Sequence, residues 1–335
     1  ILVHLGGARP HQGGDLAQGP WVFDVGVVVH DVVGLLQCVH HERRQGRDLH
    51  DFLSHDVILR LSFVLTLTLL SDWLPSQAMT EGTPLLDITG AVATLTLRRP
   101  SQRNSLTDDD LNTLLAHFDA INRNTDIHVV VLRADTTAQK QAVFSAGYNV
   151  GGFDNDPMAP LFFEKIPEAL ERLRPVTICA LNGSVYGGAT DLVLACDFTV
   201  AQRGYTWRMP AAALGLHYYP SGLRRYVSRF GLQASKRAFL LGQPIPYETL
   251  DALGIFEALV EPEAFEVKIQ SLTEVLSQMA PLALAQTKKS LNDIAAGLYS
   301  EPALKERSRQ SVYSQDFAEG RAAFAERRTP KFTGN

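Results

Sequence analysis

The segment Asn182-Gly183-Ser184-Val185-Tyr186-Gly187-Gly188-Ala189-Thr190-Asp191 places two adjacent glycines between a strand-like apolar run, Val176 to Ala180, and a helix-like one, Leu192 to Ala195. A turn of this kind can aim backbone N–H groups at a developing negative charge, because no side chain at Gly187 or Gly188 blocks the approach of a ligand oxygen. The helix start adds its partial positive charge. One such N–H, at Gly188, reads as half of an oxyanion hole. Phe144-Ser145-Ala146-Gly147-Tyr148-Asn149-Val150, shortly after the β-like run His128 to Leu132, supplies a second glycine-bearing loop for the other half. Asp191 follows Gly188 by about one helical turn, so its carboxylate can point towards the same cavity. The plainer reading of Asp191 is a carboxylate that stabilises the first turn of its helix.

These loops need elements to hold them, and the pattern supplies alternating strands and helices. Leu86 to Leu97 reads as a hairpin around Thr89-Gly90, with Val92, Thr94 and Thr96 alternating against Ala93, Leu95 and Leu97. Thr107 is placed as an N-cap, with Asp108, Asp109 and Asp110 in the first turn and Leu111, Leu114, Leu115 and Phe118 on the apolar face. Strands at Val129–Leu132, Val176–Ala180 and Phe198–Val200 alternate with helices around Phe162–Leu173 and from Gly187, which predicts sheet crossovers with helices on the faces. From Ser221 onward the chain reads as mainly helical, punctuated by Pro246, Gly254 and Pro281.

Taken in order, Phe-Ser-Ala-Gly and, about forty residues later, Asn-Gly-x-x-x-Gly-Gly resemble the crotonase superfamily, the enoyl-CoA hydratase/isomerase family. Arg98-Arg99-Pro100-Ser101-Gln102-Arg103-Asn104-Ser105-Leu106 resembles the family's first loop. Pro281-Leu282-Ala283 through Lys288 to Leu291-Asn292 resembles a late helix, and Glu319 to Phe324 with Pro330-Lys331-Phe332 resembles the family's ending. The resemblance covers the chain from about Met79 to its end. It implies an α/β fold: a ββα spiral core over residues 79–275 and a C-terminal helical oligomerisation region over 276–335, assembling as a homotrimer or a dimer of trimers. It also implies a cytoplasmic acyl-CoA enzyme of the kind found in fatty acid metabolism, with coenzyme A carried by the substrate and no separate cofactor.

The resemblance assigns roles residue by residue. The Tyr148 and Gly188 amides would hold a thioester oxygen as an enolate forms, lined by Ala146, Gly147 and Gly187. Arg103, Ser105, Lys331 and Phe332 would contact the CoA portion, Phe332 in a neighbouring subunit. Asp191 stands where many hydratases of the family carry an acid/base glutamate, but it has one methylene fewer. The second hydratase glutamate falls on Ala211, which transfers no proton, whereas addition of water normally uses two positioned acid/base groups. Tyr218, within Leu216-His217-Tyr218-Tyr219-Pro220, resembles the active-site tyrosine of the superfamily's methylmalonyl-CoA decarboxylases, and His217 could donate a proton near neutral pH. Packing of a loop by the same rings is the simpler reading. These departures favour decarboxylation or double-bond isomerisation over plain hydration. Classical hydration and a non-catalytic acyl-CoA-binding role stay open as alternatives.

Composition sets the remaining bounds. The first 78 residues contain no lysine and no methionine yet hold seven of the ten histidines. They are expected to be a non-native upstream extension with little stable fold, and the spacing of His40, His41 and His50 matches no defined metal site. Val57 to Leu70 is apolar but interrupted by Arg60, short of the roughly twenty residues that cross a membrane, and no signal-cleavage pattern follows. A net charge of −5 gives no electrostatic footprint for nucleic acid. Cys179 and Cys196 lie in apolar runs and read as buried thiols of a reducing compartment.

Overall fold

A computed structural model describes residues 80–149 and 162–335; the expectations for residues 1–78 lie outside the described residues. The hairpin forms where the period-2 pattern places it. Strands β1 (Gly82–Thr89) and β2 (Val92–Arg98) pair antiparallel across Gly90, whose φ of 58° suits the turn. Helix α1 (Asp108–Arg123) starts on a reciprocal cap. The Thr107 side chain accepts from the Asp110 amide, and the Asp110 carboxylate accepts from the Thr107 amide.

The chain then repeats a strand–strand–helix unit. β3 (Val129–Ala134) is followed by β4 (Val143–Ser145) and α2 (Lys165–Glu171), then β5 (Val176–Leu181) by β6 (Ser184–Tyr186) and α3 (Gly188–Ala195), and then β7 (Phe198–Gln202) by β8 (Thr206–Arg208). Within each unit the first strand joins a six-stranded sheet and the second a smaller one. With β9 (Ile245–Pro246) and β10 (Ala258–Val260), the sheets run β1-β2-β3-β5-β7-β10 and β4-β6-β8-β9. This is the ββα spiral.

Six α-helices complete the described chain: α4 (Pro220–Lys236), α5 (Tyr247–Asp251), α6 (Pro262–Ser277), α7 (Pro281–Ala295), α8 (Glu301–Val312) and, last, α9 (Gln315–Glu326) follow α3 in order, with α5 a single short turn. The strand faces explain the layering. Val129, Val131, Val176, Ile178 and Ala180 share a core with Phe265, Ile269 and Leu276 of α6. The alternate residues Val130, Leu132, Cys179 and Leu181 join the larger core with Leu114 of α1, Leu170 of α2 and Leu192 of α3. Both faces of the large sheet are covered, so β5 is buried at all six positions and is apolar at all but Thr177, whose hydroxyl is bonded to Asp197.

Candidate active site

β4 and β6 are parallel neighbours, with Ser145 opposite Val185, so the loops leaving their C-terminal ends emerge side by side. One carries Ala146-Gly147-Tyr148, the other Gly187-Gly188. Gly147 has φ of 90°, and a Cβ there would lie 2.7 Å from the Tyr186 carbonyl oxygen and 3.1 Å from the Gly188 nitrogen. Only glycine fits between the two backbones. Gly187, at φ 54° and ψ −134°, is the N-cap of α3. Gly188 is therefore the first helical residue, and its N–H has no partner within the helix.

The first loop aligns the Tyr148 backbone. Leu106 forms a parallel bridge with Tyr148, donating to the Gly147 carbonyl and accepting from the Asn149 amide, both at 2.9 Å. In such a bridge the central residue's own N–H faces away from its partner. Arg103, in the left-handed conformation, accepts at its carbonyl from the Ala146 amide, while its side chain is exposed. Ser105 is half-buried in the same loop. The Tyr148 ring stacks on Phe163 at 5.5 Å, and its hydroxyl donates to Asp108. Phe163 also covers Gly188, since a Cβ there would sit 2.7 Å from the ring.

Behind the glycine pair lies a buried polar network. Asp191 is fully buried and accepts two N–H bonds from Arg225, at 2.8 and 2.7 Å, and one O–H bond from Tyr219 at 2.7 Å. A carboxylate has about four acceptor positions, so three are filled. The Tyr219 proton is given to Asp191, which leaves Tyr218 as the donor in the 2.8 Å bond between the two phenols. Their rings stack at 4.1 Å. Arg225 also meets Glu171 at 3.1 Å, and Glu171 in turn holds Arg224 at 2.7 Å. Burial would lower the Arg225 pKa, but its hydrogen bonds and charge contacts with Asp191 and Glu171 outweigh that and raise it.

Burial, and after it the negative charge of Asp191, raise the Tyr218 and Tyr219 phenols well above their ordinary value of 10.0. Both stay neutral wherever the protein works. The sign of the linkage follows: below about pH 10 the phenols are protonated in folded and unfolded chains alike, while above it the unfolded chain ionises them and the folded one does not. Stability is expected to fall as pH rises past about 10, and urea midpoints from pH 9 to 11 should drop less steeply in Tyr218→Phe. An equal slope in the variant would assign the alkaline loss elsewhere.

The residues singled out from sequence separate into groups. Tyr148, Gly147, Gly187 and Gly188 come together at the paired loops, with Ala146 exposed at the edge, and Asp191 and Tyr218 meet behind them through Tyr219. His217 is exposed although its neighbour Tyr218 is buried. Ala211 is buried in a short 3-10 turn. At the far end of the chain, the Lys331 amide donates to Glu319 and Phe332 packs beside Gly320 of α9. Sequence reasoning passed over Arg225 and Glu171 and read Tyr219 only as packing. A signal for Arg225 existed: it lies beside Gly222, Tyr226 and Phe230 on the buried stripe of α4, and an arginine there requires a buried acid.

Among the described residues no group of three or more His, Cys, Asp and Glu is placed to hold a metal ion, and no helix is long and apolar enough to cross a membrane. The spiral core and the paired glycine loops define a crotonase-type protein. The family profile for enoyl-CoA hydratase/isomerase matches residues 87–335, and the chain belongs to that family of acyl-CoA enzymes. It is 27% identical over 252 residues to methylmalonyl-CoA decarboxylase of Escherichia coli, covering 73% of this chain and 95% of that protein. It is 26% identical over 251 residues to 2,3-dehydroadipyl-CoA hydratase of the same organism, covering 72% and 95%. The crystal structure of an enoyl-CoA hydratase from Bacillus anthracis superposes with a TM-score of 0.68 at 26% identity, covering 76% of this chain and all of that one.

Proposed function

We propose that the protein decarboxylates a carboxylated acyl-CoA thioester through an enolate held by the Tyr148 and Gly188 amides. The observation that carries this reading is the state of Asp191. Its carboxylate is buried against Arg225 and Tyr219, and three donors occupy its oxygens, which ties it into a structural network and away from proton transfer at the thioester. Ala211 offers no second acid. Hydration needs two positioned acid/base groups, and isomerisation needs one that removes and returns a proton. Decarboxylation needs neither to start. The bond between the α-carbon and the carboxylate breaks, CO₂ leaves, and the electron pair spreads onto the thioester oxygen between the two amides. One proton from water at the α-carbon then completes the acyl-CoA product and leaves hydroxide.

In this reading Asp191 anchors Tyr219, and through it Tyr218, at the back of the pocket. Tyr218 serves as a neutral hydrogen-bonding wall, and His217 stands on the exposed side of the loop. Arg103, Ser105, Lys331 and Phe332 are proposed CoA contacts, the last of them in a neighbouring subunit. Exposed apolar residues of the C-terminal region, among them Leu298, Tyr313 and an 88% exposed Phe324, support assembly as a trimer or dimer of trimers. The buried free thiols of Cys179 and Cys196 suit a cytoplasmic setting.

Purified protein assayed with methylmalonyl-CoA and crotonyl-CoA is expected to release CO₂ from the first and to hydrate the second poorly. Efficient hydration of crotonyl-CoA without decarboxylation would establish a hydratase instead. Binding of both without turnover would establish an acyl-CoA-binding protein.

A further inference from the structure

We infer that Thr190, Tyr226 and Trp207 form a fixed hydrogen-bond relay that aims and polarises the Gly188 amide, making Thr190 and Tyr226 positioning residues for the oxyanion hole. The inference rests on the proposed role of Gly188 as a donor to the thioester oxygen.

The relay runs in one direction. Trp207 Nε1 lies 3.0 Å from the Tyr226 hydroxyl, that hydroxyl 2.6 Å from Thr190 Oγ1, and Thr190 Oγ1 2.6 Å from the Gly187 carbonyl oxygen. An indole N–H can only donate and a carbonyl can only accept, so the two hydroxyl protons between them have a single consistent order. Each donor polarises the next. The Gly187 carbonyl also accepts from the Thr190 amide at 3.0 Å, so two bonds from one residue hold it.

That carbonyl belongs to the same peptide unit as the Gly188 N–H. In a planar trans peptide the two groups point in opposite directions. Pinning the oxygen towards Thr190 therefore turns the N–H the opposite way, and a Cβ built on Gly147 would lie 3.1 Å from that nitrogen, so the nitrogen sits beside the other loop. Hydrogen bonds to the carbonyl also favour the charge-separated amide resonance form, which makes its N–H a stronger donor. Thr190, Tyr226 and Trp207 are each completely buried, and the Tyr226 ring is wedged edge-on between Trp207, at 6.1 Å, and Phe239, at 4.6 Å. Burial raises the Tyr226 pKa, so the relay keeps its proton across the working pH range.

A relay that only satisfies buried polar groups would leave a bound carbonyl unaffected, and this separates the two roles. Isotope-edited infrared spectra of acetyl-CoA and butyryl-CoA carrying ¹³C at the thioester carbonyl, bound to the full-length protein, read the hole directly. In the wild type the stretch is expected at lower wavenumber than for the free thioester. Thr190→Val and Tyr226→Phe should lose part of that displacement, and Thr190→Ser should restore it. For whichever thioester is turned over, kcat should fall on the order of tenfold in Thr190→Val with KM within about twofold, less than the hundredfold or more for deleting a donor.

An unchanged displacement in Thr190→Val and Tyr226→Phe, or loss of kcat without any change in the carbonyl stretch, overturns the relay while leaving the oxyanion hole standing. No displacement in the wild type, or no bound thioester, overturns the proposed function and the relay with it. If Thr190→Val does not fold, Tyr226→Phe and Thr190→Ser decide between these outcomes.

Discussion

Gly147→Ala is expected to lower kcat/KM for the protein's acyl-CoA substrate on the order of a hundredfold or more. The added Cβ would lie 2.7 Å from the Tyr186 carbonyl oxygen, which is backbone and cannot rotate away. Tyr186 is held by its pairing with Arg208 in β8, and the Gly147 carbonyl by its bond from Leu106. The loops must therefore separate, which moves the Tyr148 and Gly188 amides out of register, and a displacement of about 1 Å costs roughly a hundredfold. The backbone adds strain of about 1–3 kcal/mol, because φ is 90°. Gly204 provides the internal control. Its φ is 91° but nothing lies within 4 Å of a Cβ there, so Gly204→Ala should show the conformational cost in its urea midpoint with little change in activity. Comparable kinetics in the two variants would mean that the loop contact has no catalytic consequence.

Arg225→Met should lower the unfolding free energy by about 3–5 kcal/mol, since it leaves the Asp191 carboxylate buried without its partner. The side chains of Arg225 and Asp191 are 1% and 0% exposed, with N···O at 2.7 Å, so water cannot take over the lost bonds. Arg203 and Glu261 make an ion pair of similar length, 2.9 Å, but at 42% and 64% exposure solvent screens it. Arg203→Ala should cost no more than about 1 kcal/mol. Removing both buried charges is a different experiment. Asp191→Leu with Arg225→Met should regain much of the lost stability, because desolvating the pair costs nearly as much as its attraction returns. Denaturant titration of the two single variants and the double variant checks this. Additive losses would show that the two side chains act independently, contrary to the geometry.

These effects differ in how visible they were before the fold was known. The glycine loops are local features. Gly147 and Gly187 need positive φ, Thr107 caps the helix that follows it, and the hairpin alternates with the period of a strand, so each was written in a few neighbouring residues. The order of the large-sheet strands and the helices between them followed from the same periodicities, whereas the two- and three-residue strands β4, β6, β8 and β9 of the small sheet are too short to show a period.

The charge network is another matter. Asp191 and Arg225 are 34 positions apart, and Glu171 and Arg225 are 54 apart. They meet only because α2, α3 and α4 pack together, and no local pattern states which helix faces lie opposite. The same reason divides His217 from Tyr218: neighbours in the chain point to different sides once the loop turns into α4, so one is exposed and the other buried against Tyr219.

The sequence by itself determined the fold class, the two glycine-bearing loops and the absence of a glutamate at position 211, because each depends on backbone conformation or on residue identity at one site. The tertiary structure alone decided that the loops lie against each other, and that Asp191 is bonded to Arg225 and Tyr219. Burial is the physical reason. A carboxylate excluded from water must find partners, and which partners it finds is set by packing between segments that the chain brings together only when folded.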